Sequence, residues 1–243
     1  MDFGPALRSL PFLLNGVQVT LVVSGSAIVL AAAFGLLAAY LRLSPLRPLR
    51  AVGTGYVTAI QSIPFFALLL WVYFVLPAAL GIVRPNIYVF GIGTLVLTYA
   101  AYFGETYRAG ILAIPGGQRE AAVSTGMTER QAMRRVVLPQ AVRATIPAIT
   151  SLCISAVKDS AIIGPVLGVQ DIMWHTGVVQ GNTFRPAEAF FVAALLYVAL
   201  TFPLTVLGNA LHRRWRLDRS VTQTAGLLGR LSFRQVAPPK ADP

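Results

Sequence analysis

Lys158 and Asp159 stand side by side at the end of a 14-residue uncharged run, Ala144–Val157, in a chain whose charged residues make up only 12% of 243. A charged group at membrane depth costs a few kcal/mol, so its default reading is a functional or a paired residue. In the first role the ammonium meets a solute carboxylate and the aspartate an α-amino group. In the second the two hold each other or contact a second subunit. Pro64 marks another such place, deep in the uncharged run Ala51–Val83 of 33 residues. Its ring lacks an N–H and clashes with the carbonyl four residues back, which predicts a kink with the Ile60 carbonyl freed. Freed backbone is tolerated at membrane depth where it faces protein or a water-filled cavity. Gln61 and Ser62 beside it offer polar groups either to a zwitterionic solute or to a neighbouring helix. Glu105 and Arg108, three residues apart, suit a contact at a helix end.

A third group of residues lies between Ile114 and Pro139. Pro115-Gly116-Gly117 reads as a turn, and Gln118 to Ala122 as a helix that Gly126 stops at its C-terminal cap. Thr128 with Gln131 three residues later is a capping box, Met127 is placed to staple onto Ala132, and Pro139 is expected to end the second helix. Arg130 and Arg134 share a face at i, i+4, while Met133, Val136 and Val137 form an apolar stripe. On composition alone, such a basic segment also suits contact with lipid phosphates.

Other chemistry is poorly supplied. There is no Gly-x4-Gly-Lys-Ser/Thr phosphate loop and no Gly-x-Ser-x-Gly element. The lone Cys153 excludes a disulfide framework, and with His175 and His212 it makes a poor metal set. The expectation is a chain without cofactor, metal or catalytic residue of its own.

The elements that must position these groups follow from hydropathy. Hydrophobic residues reach 56% and the mean hydropathy is +0.68. A soluble surface needs roughly 25–35% charged residues, so this is an integral membrane chain, and its net charge of +11 is a matter of topology rather than nucleic-acid binding. Four uncharged runs reach spanning length: Gly16–Leu41, Ala51–Val83, Pro85–Gly104 and Ala189–Leu211. Ala144–Val157 is shorter, and spans if Lys158 and Asp159 lie in a protein-lined path. With all five crossing, sixteen of the 20 Lys/Arg fall on one side, which predicts an N-terminus outside and a C-terminus inside. The first run is too long for the core of a signal peptide. Residues 1–15 are expected as an outer segment with a short interfacial helix, and residues 216–243 as a mobile cytoplasmic tail. The fold class is all-α, a five-helix membrane bundle spanning 16–215.

The order Glu120-Ala121-Ala122, Gly126, Val136, Leu138-Pro139 resembles the "EAA…G…I-LP" loop of ABC importer permeases. Asn15 to Leu21 is similar to the family's opening "G…TL", and Ala101 to Ile111 to the "AY..E..RGGI" stretch of its polar-amino-acid branch. Leu138 to Arg143, Pro147 and Lys158-Asp159-Ser160 (the family's "KDTSL") match that branch too. The chain is identified as resembling the permease subunit of a histidine/glutamine-type importer, over about residues 10–215. The resemblance implies a type I permease-like bundle whose loop 114–139 forms coupling helices. Glu120, Ala121, Ala122, Gly126, Arg130, Arg134, Leu138 and Pro139 would then meet an ATP-hydrolysing subunit that holds ATP and Mg. It also implies a second permease subunit, identical or not, a periplasmic solute-binding protein, surrounding lipid, and a bacterial inner membrane. Gln61, Ser62, Pro64, Lys158 and Asp159 are the candidates for the solute path. One departure bears on the solute: where the branch carries "RGTPLL..Q", this chain has Gln61-Ser62-Ile63-Pro64-Phe65-Phe66-Ala67-Leu68. The alternative is an ion-gradient-driven carrier, which needs coupling-ion sites at broken helices in repeated halves.

Overall fold

The computed structural model describes residue 4 and residues 8–214. The regular elements among them are helical: α1 (Leu10–Leu43), α2 (Arg47–Ser62), α3 (Phe65–Ala79), α4 (Ile87–Leu112), α5 (Gly116–Ser124), α6 (Glu129–Ala132), α7 (Leu138–Ser160), α8 (Ile163–Leu167), α9 (Ile172–Thr183) and α10 (Pro186–Arg214). Four segments are long and apolar enough to cross a membrane: α1, α4, the run Glu129–Leu167 and α10. Joined as one broken span bent by 105°, α2 and α3 make a fifth.

The centre of the bundle is α4, half of whose apolar window is buried, against 17% for α10. It crosses α1 at Gly35 and Gly104, where small residues let two backbones approach. A Cβ on Gly35 would stand 2.6 Å from that of Phe103, and one on Gly104 2.7 Å from that of Ala38. Around this crossing, Val23, Ala27 and Ala31 of α1 pack with Leu95, Tyr99, Ala100 and Phe103 of α4, Leu69 of α3 and Ala156 of α7. Leu13, Val179, Ala189 and Val192 make a second cluster between α1, α9 and α10. Hydroxyls inside the helices return to their own turn, as Ser24 donates to the Thr20 carbonyl at 2.7 Å and Thr201 to Tyr197 at 2.8 Å. Hydrocarbon offers them no water, so an internal acceptor is required. The outer faces remain apolar and open: Val29, Phe34 and Tyr40 on α1, Val198 and Phe202 on α10. They suit hydrocarbon or another subunit.

Three local expectations change. Residues 10–15, expected in an outer segment, are the first turns of α1; residues 1–3, 5–7 and the tail 216–243 lie outside the described residues. The Ile60 carbonyl is not freed by Pro64, because the Ile63 N–H donates to it at 3.3 Å in a tightened last turn. The short run Ala144–Val157 lies inside the 23-residue α7 and the longer span Glu129–Leu167, as the expectation of five crossings requires. Pro139 does not end a helix. Met133–Val137 form a π turn in which the Leu138 N–H reaches the Met133 carbonyl, five residues back. That shift lets Pro139 enter at the second position of α7, where a missing N–H costs nothing. The same arrangement recurs at Trp71–Val75, where the Leu76 N–H meets the Trp71 carbonyl just before Pro77.

Candidate functional site

The loop between α4 and α7 is organised by local sequence. In α5 the chain ends on a Schellman turn: Gly126 has φ +90, its N–H donates to Val123 at 2.9 Å, and the Met127 N–H reaches Ala122 at 3.3 Å. A left-handed residue there satisfies carbonyls that the helix end would leave open, and glycine adopts it without a Cβ clash. Two residues on, Thr128 opens α6. Its hydroxyl accepts from the Gln131 N–H at 3.3 Å and its own N–H donates to Gln131 Oε1 at 2.9 Å, the reciprocal capping box. Arg119 of α5 and Glu129 of α6 pair at 2.9 Å across the turn.

Burial separates the loop residues into two sets. Ala122, Ala132 and Val137 are buried and hold the two short helices against each other. Glu120, Ala121, Gly126, Arg130, Arg134, Leu138 and Pro139 are exposed. Arg130 and Arg134 line one concave surface of about 550 Å³ with Thr128, Gln131 and Arg135. The result is a solvent-exposed patch with an acidic residue on α5 and arginines on α6 and the π turn after it. Such a patch can dock a complementary protein surface. It offers no nucleophile and no acid–base pair.

Sequence reasoning also placed Gln61, Ser62, Pro64, Lys158 and Asp159 together as one path. Gln61, Ser62 and Pro64 are exposed at the 105° break, and Ser62 donates to the Thr58 carbonyl at 2.7 Å. Phe65, the first residue of α3, packs on the cluster that contains Tyr99 and Ala156. Asp159 borders the same cluster, since Tyr99 Oη donates to its Oδ2 at 2.8 Å. Tyr99 stands halfway along the 26-residue α4, which puts Asp159 at mid-depth of the bundle. Lys158 is exposed and forms no ion pair with Asp159 among the described residues. Neighbours on a helix diverge by about 100°, so two adjacent side chains cannot share one direction.

Several contacts lie beyond what the sequence indicated. Glu105 binds Arg108 as foreseen, at 2.7 and 3.1 Å, yet it also takes Arg42 from the end of α1. This ties the basic ends of α1 and α4 immediately before the loop. Asp171 is 2% exposed and anchors α8 and α9: its carboxylate accepts from the Trp174 N–H at 2.8 Å and the Gly164 N–H at 3.2 Å. The adjacent Ile172 N–H donates to Thr20 Oγ1 of α1 at 3.2 Å, and His175 Nδ1 lies 2.8 Å from the Asp171 carbonyl. An aspartate one residue before an apolar helix was the available signal, as an N-cap.

Comparison with known proteins identifies the family of the chain. Residues 31–217 match the family described as binding-protein-dependent transport system inner membrane component. The chain is 36% identical over 203 residues to a probable glutamine ABC transporter permease of Bacillus subtilis, covering 83% of this chain and 92% of the relative. It is 32% identical over 214 residues to an arginine transport system permease of the same organism, with 88% and 97% covered. Among solved structures, an amino acid ABC transporter crystallised with histidines superposes with a TM-score of 0.82 at 31% identity, over 88% of this chain and 99% of that one. An inward-facing methionine ABC transporter shares the fold at a TM-score of 0.71 and 24% identity, over 86% and 99%.

Proposed function

This chain belongs to the family of inner-membrane components of binding-protein-dependent transport systems, and from that premise we propose that it is the membrane pathway for a polar amino acid. It is a permease subunit of an ATP-driven ABC importer and not an enzyme: ATP hydrolysis lies in a separate subunit, where ATP and Mg would be held. A gradient-driven carrier finds no support among the relatives. The partners of the reading are ATP-binding subunits, a second permease subunit, identical or not, and a solute-binding protein on the outer side. The protein is a multi-pass membrane protein of the inner membrane, oriented with its N-terminus outside and its C-terminus in the cytoplasm. The charge asymmetry supports that orientation, since it collects Arg42–Arg50, the loop and the tail on one side.

One observation carries the coupling role. The exposed patch at Glu120, Arg130 and Arg134 stands at the foot of a rod, Glu129–Leu167, whose upper part carries Lys158 and Asp159. A push on the patch by an ATPase therefore reaches the path through one element. Ala121, Ala122 and Gly126 set the shape of the patch, and Leu138 and Pro139 join it to the rod. Gln61, Ser62 and Pro64 at the helix break, with Lys158 and Asp159, supply the polar groups of the path.

The test is co-purification. Glu120→Lys and Arg134→Glu reverse exposed charges that make no ion pair among the described residues, so the fold should survive. Recovery of the ATPase with the permease is expected to fall by about tenfold in each, as for the loss of a hydrogen-bonded charged contact. Full recovery and full uptake in both variants would contradict a docking role for the loop.

A further inference from the structure

We propose that Tyr99 is a positioning residue for the solute path: its hydroxyl holds one oxygen of Asp159 so that the other is presented to the α-ammonium of a passing amino acid. This rests on the reading that Asp159 lines the path. Tyr99 is 3% exposed and wedged in the central cluster, its ring 5.9 Å from that of Tyr102. A buried phenol must find a partner for its hydroxyl, and here the partner is Asp159 Oδ2 at 2.8 Å, sixty residues away in sequence. Hydrogen bonds to an ionised acceptor are the strong ones, and Tyr has only two side-chain torsions to fix.

Asp159 needs such a partner. It lies one residue from the end of α7, where the chain turns: the Ala161 N–H donates to Lys158 at 3.1 Å and the Ile162 N–H to Asp159 at 3.1 Å. Those bonds fix the backbone but leave the side chain a choice of staggered rotamers. Lys158 does not restrict it, because it points elsewhere and is exposed. The Tyr99 hydroxyl selects one rotamer. Among the described residues no other donor reaches the carboxylate, so Oδ1 keeps its acceptor capacity at mid-depth of the bundle. An unmatched carboxylate oxygen in that position is costly unless water or a cation meets it. A zwitterionic solute brings such a cation, and a fixed carboxylate binds it with less ordering than a mobile one.

The experiment is equilibrium binding of radiolabelled L-glutamine, L-arginine and L-histidine to the purified permease–ATPase complex, without the solute-binding protein. Tyr99→Phe keeps the ring and removes only the donor. It should weaken binding of the accepted amino acid by about tenfold, the loss expected for a hydrogen bond to a charged group. Asp159→Asn should weaken it by at least as much, and the double variant no further, since the two residues act through one oxygen pair. Asp159→Glu, which keeps the charge and moves the oxygens, should also bind more weakly. Losses that multiply in the double variant, or normal binding by Tyr99→Phe beside a defective Asp159→Asn, would overturn the role of Tyr99 and leave the path reading standing. Normal binding by Asp159→Glu would likewise show that oxygen placement is irrelevant and overturn it. Normal binding by Asp159→Asn, or no binding of any of the three amino acids by the unaltered complex, would overturn the path reading itself.

Discussion

Asp171 shows how much a single buried carboxylate organises here. It caps α9, takes the Gly164 N–H of α8, and sits beside the Ile172–Thr20 bond that joins this region to α1. Asp171→Ala removes a cap worth about 1 kcal/mol and strands a buried N–H at about 1–3 kcal/mol. The purified complex should lose thermal stability accordingly, and Asp171→Asn, which retains an acceptor oxygen, should lose less. Equal stability of Asp171→Ala and the unaltered protein would remove Asp171 as an anchor. Lys158 and Asp159 behave differently. A dry ion pair would make each single replacement far worse than the double one. Asp159 pairs with Tyr99 instead, so Lys158→Met and Asp159→Leu should each affect membrane abundance independently. Abundance lost in either single variant and restored in the double one would contradict that separation.

At the scale of elements, sequence reasoning succeeded where the signal is local. Gly126 and Thr128 set the loop by their own backbone preferences, and both the helix stop and the capping box stand where the residues require them. Pro64 breaks its helix, as the sequence reading expected, into a 105° bend. The Pro139 reading failed because a proline in a helix can be accommodated by an altered hydrogen-bond ladder, and a π turn leaves no simple mark in residue type. The Arg42–Glu105 and Tyr99–Asp159 contacts were illegible for another reason: their partners lie 63 and 60 residues apart and meet only when the bundle packs. At this scale the test of the loop is Gly126→Leu. A side chain at φ +90 costs about 1–2 kcal/mol in the left-handed region, enough to reshape the turn between α5 and α6 without unfolding the spans. The assembled transporter should then hydrolyse ATP with little matching uptake. Normal uptake at normal abundance would take the turn out of the coupling route.

At the scale of the whole molecule, the apolar outer faces of α1 and α10, the basic loop and the broken α2–α3 span belong to one membrane subunit built to work with others. The sequence carries no Gly-x4-Gly-Lys-Ser/Thr nucleotide-binding loop. Its orientation is open to a direct check: a reporter fused after Arg214 should read as cytoplasmic, and one inserted beside Arg84 as external. The same side for both would contradict five crossings.

The most direct measurement is uptake of L-glutamine, L-arginine and L-histidine into proteoliposomes holding the permease with its ATPase, with the solute-binding protein outside. ATP is enclosed, and all ion gradients are collapsed by ionophores. The expected result is accumulation of at least one of them that requires hydrolysable ATP and disappears in Gly126→Leu. Accumulation that follows an imposed ion gradient and ignores ATP would contradict the assignment of this chain as the pathway of an ATP-driven importer.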